Sequence, residues 1–189
     1  TKVHPINHEG QYFSVPGIHI CEPSPQRTPV LYQAGASSRG QKFASQNAEC
    51  VFISAPTKIA VKKLVTGIRH NLVKEGKDPN SVLIYTMLAI VVDETDEKAQ
   101  AKFQEYQQYG SYDGGLTLAS GWSGVDFSQF RPTDQVEYIQ TNAIQSMLQS
   151  YVEADSDKIW TIEEIAHWTS IGGNGPVIIG SPTTVADRL

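Results

Sequence analysis

Only two cysteines occur among the 189 residues, Cys21 and Cys50. They stand far apart and outside any C-x-x-C pattern, which excludes a disulfide framework and a thiolate zinc site. Buried reduced thiols and a cytoplasmic location are the expectation. Basic charge is also short: 15 Lys and Arg face 20 Asp and Glu, for a formal net charge of −5. Such a chain lacks the excess of cations with which proteins neutralise nucleic-acid phosphates. No apolar run approaches the roughly 18 residues that a membrane span needs. The start, Thr1-Lys2-Val3-His4-Pro5, has neither signal-peptide nor transit-peptide character. Gly-x-Ser-x-Gly, the P-loop lysine and Gly-x-Gly-x-x-Gly are all missing, so no nucleophile elbow and no ordinary nucleotide fingerprint is present. The five histidines, His4, His8, His19, His70 and His167, form no set of three or four converging ligands, and no metal site is expected. No catalytic acid or base stands out.

What is present is an alternation of strand and helix signals. Val30–Gly35 reads as an apolar strand, followed by a helix to about Asn47 with Ser37 or Ser38 as its cap. Ala48–Ile53 is a second strand. A long helix then runs from Thr57 to Glu75, with Val61, Leu64, Val65, Ile68 and Leu72 on one face and Gly76 ending it. Ser81–Asp93 reads as a third strand and Glu94–Tyr109 as the next helix, opened by Thr95 or Asp96. Repeated βαβ units with near-continuous apolar strands imply an α/β fold with a parallel sheet covered on both faces. Gly110–Thr133 then loses its pattern and reads as a long excursion, of the kind that serves as a lid or binding loop. Asp134–Ala154 has helical periodicity. Thr161-Ile162-Glu163-Glu164 is a capping box, Val177–Gly180 a short apolar strand, and Ser181-Pro182 a cap with proline in the first helical position.

The stretch Gln33-Ala34-Gly35-Ala36-Ser37-Ser38-Arg39-Gly40 is where chemistry is most expected. A strand breaks at glycine and runs straight into a helix. Helix N-termini present unpaired N–H groups and a partial positive charge, and so attract phosphate. Gly35 allows close backbone approach, and Ser37 and Ser38 add hydroxyls. The same residues also suit an ordinary capped turn. Trp122, set among glycines, suits either a wall over a flat ligand or an anchor to the core.

Several segments in chain order resemble one family. They are Val3-His4-Pro5-Ile6-Asn7-His8-Glu9-Gly10-Gln11-Tyr12-Phe13, then Cys21-Glu22-Pro23-Ser24-Pro25-Gln26-Arg27-Thr28-Pro29, then Tyr32-Gln33-Ala34-Gly35-Ala36-Ser37. Ser120-Gly121-Trp122-Ser123-Gly124-Val125-Asp126 and Gly172-Gly173-Asn174-Gly175-Pro176 follow. Together they resemble the bacterial-luciferase-like flavin monooxygenases, in the group of the nitrilotriacetate, dibenzothiophene-sulfone and long-chain alkane enzymes. The resemblance implies a partial TIM (β/α)8 barrel whose ligands sit at the C-terminal ends of the strands. Residues 1–189 would form a single partial domain, the middle-to-C-terminal part of that barrel, with N-terminal strands and the last strand outside it. It implies reduced FMN, supplied by a separate NAD(P)H flavin reductase, with O2 and a small organic or xenobiotic substrate as the other partners. It also implies a homo-oligomer when full length. Ser37 would contact the FMN phosphate, with Ala34, Gly35 and Ala36 as backbone neighbours, and Trp122 is the candidate substrate wall or lid. A partial barrel leaves strand edges unpaired, and the chain alone is expected to be inactive. The alternatives are a non-catalytic FMN- or phosphate-binding module and a sugar-phosphate barrel enzyme.

Overall fold

The computed structural model describes residues 3–35, 37–136, 151 and 159–189. The chain divides into two compact units, Thr1–Val30 and Leu31–Leu189. In the first, β1 (His8–Glu9) pairs antiparallel with β2 (Ser14–Val15), His8 opposite Val15. The Gly10 N–H donates to the Phe13 carbonyl at 2.8 Å, so Gln11–Phe13 forms the turn rather than part of a strand. Cys21, expected to be buried, is exposed on this unit, whereas Cys50 of the second unit is buried.

The second unit holds β3 (Tyr32–Ala34), β4 (Cys50–Ile53) and β5 (Leu83–Thr86) in one parallel sheet of that order. Tyr32 lies opposite Cys50, and Cys50 opposite Leu83. Helices α1 (Ser38–Asn47) and α2 (Lys58–Lys74) cover one face. Val51 and Ile53 of the sheet pack there with Ala44, Ala48, Ile68 and Leu72, all buried. The apolar stripe of α2 read from the sequence is the one that is buried, because residues three and four apart share a helix face. Lys77 Nζ donates to the Ser45 and Gln46 carbonyls at 2.8 and 2.7 Å, closing the C-terminal end of α1.

The opposite face of this sheet corrects the expectation of a sheet covered on both sides. Among the described residues nothing packs over Tyr32, Phe52, Tyr85 and Leu83, which are 57%, 49%, 40% and 57% exposed. The three rings stack on one another instead, with centroids 5.7 Å apart for Tyr32–Phe52 and 5.3 Å for Phe52–Tyr85. Apolar strand residues show that a face is meant to be covered, but not that the covering element lies in the same stretch of chain.

The third strand is also not continuous. It breaks at Met87-Leu88, and its second half, β6 (Ala89–Val92), pairs in parallel with β7 (Val177–Gly180). The break lies where Gly175 presses on the Met87 backbone; a Cβ at Gly175 would stand 2.7 Å from the Met87 carbonyl oxygen. Ser54 Oγ at the end of β4 donates to the Asn174 carbonyl at 2.7 Å and so holds the same loop. The strand thus changes partners midway, which an apolar run cannot announce.

Helix α3 (Asp96–Tyr109) packs on β6 and β7, capped by Thr95. The expected excursion at 110–133 does depart from strand–helix alternation, but most of it is ordered as α4 (Tyr112–Ser123), followed by a short 3-10 turn at Phe127–Gln129. Glycine lowers helix propensity, which hides this helix in the sequence. Gly115 is there for contact: a Cβ would lie 2.0 Å from the Ala166 carbonyl oxygen of α5 (Ile162–Gly172). The helices α4 and α5 enclose a second core of Ala119, Phe127, Tyr151, Trp160 and Ile165. The capping box at Thr161 and Glu164 is formed as read from the sequence. Residues 134–136 are not the start of a helix; Gln135 bridges Thr161, and Val136 N–H donates to the Trp160 carbonyl at 2.9 Å. The rest of the expected helix to Ala154 lies outside the described residues, apart from Tyr151. The final helix, α6 (Pro182–Arg188), has Ser181 as its cap and proline in its first turn.

Candidate functional site

The strand-to-helix turn after β3 opens onto the N-terminus of α1 and is the candidate anion corner. Ala34 ends the strand, and Gly35 follows with φ of +139°, a conformation that disfavours any residue with a Cβ. Ser37 is the cap of α1, and its Oγ accepts from Gly40 N at 3.1 Å. That bond uses a lone pair of the hydroxyl and leaves its O–H free to donate. Gly40 closes the turn from above: a Cβ there would come within 3.1 Å of the Gly35 carbonyl oxygen and 3.2 Å of Ser37 Oγ. Its role was missed in the sequence reading, although the spacing from capping serine to glycine was its only available signal. Ala34, Gly35, Ser37, Ser38 and Arg39 are all exposed. No acidic residue stands in the first turn of α1, while Arg39 does. Positive helix end, free hydroxyl and absent carboxylate therefore act in the same direction. Ala36 lies outside the described residues.

Below this corner, Ala34 is in register with Phe52, and Phe52 with Tyr85, on the bare face of the sheet. The Tyr32 phenol is pushed above its ordinary value, first by its hydrogen bond to Cys50 and the charge of that thiol, then by Tyr85. Trp122 sits on α4, half-buried against the core of Phe127 and Trp160. It anchors α4, and part of its ring stays open to solvent. Of the two roles the sequence leaves open for Trp122, the anchor to a core is present in this packing. Among the described residues no group of three or more His, Cys, Asp and Glu could hold a metal ion, and no helix is long and apolar enough to cross a membrane.

A parallel sheet backed by helices, with an exposed helix N-terminus at the C-terminal end of a strand, defines a portion of an α/β barrel. Residues 2–189 match the luciferase-like monooxygenases, and the chain belongs to that family. It is 43% identical over its whole length to the dimethyl-sulfide monooxygenase of Hyphomicrobium sulfonivorans, covering 39% of that protein. It is 42% identical over 76% of its length to the long-chain alkane monooxygenase of Geobacillus thermodenitrificans, covering 33% of that one. Its fold matches the crystal structure of riboflavin lyase, solved with modified FMN and the substrate riboflavin, with a TM-score of 0.79 at 30% identity. That match covers 99% of this chain and 41% of the lyase. The chain thus spans about a third to two-fifths of the length of these three proteins. Dibenzothiophene-sulfone and nitrilotriacetate monooxygenases are among its further relatives, each at 28% identity.

Proposed function

We propose that this chain supplies the phosphate corner of a reduced-FMN site in a two-component monooxygenase, which oxygenates a small organic or xenobiotic substrate. The observation that carries the proposal is the corner itself: Gly35 at positive φ, Ser37 with a free O–H, and Gly40 leaving room that a Cβ would fill. These residues fit a phosphate monoester. Ser37 Oγ–H donates to one phosphate oxygen, and the backbone around Gly35 and the first turn of α1 supplies N–H groups. In sequence, Ala34, Gly35 and Ala36 directly precede Ser37, and the family resemblance makes them its backbone neighbours at the phosphate. When bound, reduced FMN supplies the electrons that activate O2 for transfer of one oxygen atom. The chain's own share is to hold the phosphate end and to offer an aromatic wall at Phe52 and Tyr85. The open part of Trp122 is the portion of α4 able to face a substrate. No acid or base is assigned.

In this reading an NAD(P)H-dependent flavin reductase delivers the cofactor, and the full-length enzyme is a cytoplasmic homo-oligomer. In this reading the 189-residue chain by itself binds without turnover, because among the described residues nothing covers one face of the sheet. The test is a paired titration of the chain with FMN and riboflavin, followed by flavin fluorescence. Each charge-assisted hydrogen bond to the phosphate contributes about 1.5–3 kcal/mol, so FMN should bind at least roughly tenfold more tightly. Equal affinity for the two flavins would remove the phosphate corner from the site.

A further inference from the structure

Charge is unevenly placed along the chain. Residues 31–77 hold eight Lys and Arg against two Glu, whereas residues 78–189 hold five against sixteen Asp and Glu. The cationic surplus centres on α2, whose 17 residues include no carboxylate. Lys58, Lys62, Thr66, His70 and Lys74 stand at every fourth position and form one exposed row, with exposed Lys63 beside it. Among the described residues no carboxylate pairs with Lys58, Lys62 or Lys74. The first turns of α3, α4 and α5 each carry acid, whereas α2 opens on Lys58, where the helix dipole opposes a cation. Neighbouring like charges in the row oppose one another as well. These side chains are exposed, so the packing of α2 does not account for them.

The start of the row lies beside the anion corner. The strands β3 and β4 are parallel neighbours, so α1 and α2 begin at the same end of the sheet. The two helices then run side by side in one direction. Gln41 Oε1 packs where a side chain at Gly67 would stand, and Gln46 Nε2 donates to the Glu75 carboxylate at 3.0 Å. Counting back along both helices sets Ser37 level with Lys63. With a rise of about 1.5 Å per residue and roughly 8–10 Å between helix axes, Lys62 and Lys63 stand on the order of 10 Å from the corner. Lys58 stands a little further, and Lys74 nearly twice as far. The screening length is about 10 Å at 0.1 M salt. The first three lysines therefore act on an anion approaching the corner, and Lys74 hardly does.

We propose that Lys58, Lys62 and Lys63 steer the phosphorylated flavin to the corner, raising its association rate without touching it once bound. This rests on the phosphate-corner reading. A phosphate monoester carries roughly −1.5 to −2 charge near pH 7. The acid-rich remainder of the chain repels such an anion, and the lysine patch gives it one favoured line of approach. A flavin that arrives from a separate reductase must be captured from solution, which is the step that a local field accelerates.

The test is stopped-flow flavin fluorescence with FMN and with riboflavin, which lacks the phosphate, at low and at high salt. For the parent chain the FMN association rate should fall about fivefold between roughly 20 and 300 mM salt, and that of riboflavin should stay constant. The triple variant Lys58→Gln, Lys62→Gln, Lys63→Gln should lose about the same factor at low salt and most of the salt dependence. Its FMN dissociation rate should stay within about twofold of the parent's, since steering acts on encounter and contact acts on release. Lys74→Gln should leave both rates unchanged. FMN bound no more tightly than riboflavin would remove the corner, and its steering with it. FMN bound more tightly than riboflavin, but with one association rate in parent and triple variant, would overturn the steering alone. A loss confined to the dissociation rate would show direct contact by the lysines and overturn it as well.

Discussion

Ser37 carries two functions in one hydroxyl, and they can be separated by substitution. As a cap it accepts from Gly40 N at 3.1 Å. Replacing a capping serine by alanine costs about 0.5–2 kcal/mol. For a chain of this size that lowers the melting temperature by roughly 2–4 °C per kcal/mol. As a ligand it donates its proton to the phosphate, so Ser37→Ala should also weaken FMN by about 1.5–3 kcal/mol, or roughly ten- to hundredfold. Riboflavin, which has no phosphate, should bind the variant as it binds the parent. Ser37→Asp makes the separation. Aspartate caps a helix as well as serine does, so stability should stay within a few tenths of a kcal/mol. Its carboxylate would oppose the phosphate directly, and FMN affinity should fall below that of the alanine variant. The expected order of stability is parent and Asp together, then Ala; the expected order of FMN affinity is parent, Ala, Asp. Urea unfolding and fluorescence titration measure the two series independently. If Ser37→Ala binds FMN as tightly as the parent, the side chain is only a cap and the phosphate contact is not made by it.

Two glycines of α4 should respond in opposite directions to the same change. Gly121→Ala meets open space and should stabilise by roughly 0.5–1 kcal/mol, whereas Gly115→Ala drives a Cβ to 2.0 Å from the Ala166 carbonyl and should destabilise by more than the roughly 1 kcal/mol of propensity gained; urea midpoints compare them, and a stable Gly115→Ala would mean α4 and α5 are not packed this closely. Burial pushes the Tyr151 phenol up to about 12, from an ordinary 10.0, with a weak contact to Thr169 opposing it. The raised value means that its contribution is complete below pH 10 and is lost as pH climbs toward 12, an effect of roughly 2–3 kcal/mol that Tyr151→Phe should abolish in alkaline unfolding curves. Asp96 joins the N-termini of α3 and α6 by accepting from Ser181 N and from Thr184 Oγ1 at 2.6 and 2.9 Å, bonds that hold its carboxyl below the usual range, the Ser181 N–H first. Its contribution is present above the ordinary carboxylate value and fades as pH falls through the lower folded one, so Asp96→Asn should flatten the acid side of the stability profile below about pH 4.

Much of the fold is legible from local chemistry. The caps Ser37, Thr95, Thr161 and Ser181 all stand where the sequence places them or offers them as one of two choices. A cap is a bond between neighbours, set by a side-chain oxygen and an N–H two or three residues away. The stripe of α2 is legible for a related reason, since its period belongs to the helix itself. The anion corner is half legible: Gly35 and Ser37 declare a turn into a helix, but the closing contact of Gly40 against Gly35 depends on the turn's final shape.

The alternation of β3, α1, β4 and α2 and the caps of α1, α3, α5 and α6 were therefore legible in the sequence alone, because each rests on contacts within a few residues. Tertiary structure decided the rest. It broke the apolar run at Met87-Leu88, where one half of a strand pairs with β4 and the other with β7. It made a helix of glycine-rich 112–123, because Gly115 gains an approach to Ala166 that no larger residue permits. It placed Trp122 against a core and, among the described residues, left the Tyr32–Phe52–Tyr85 face uncovered. In each case the deciding neighbour lies far along the chain or is not part of the described residues, and local propensity carries no information about it.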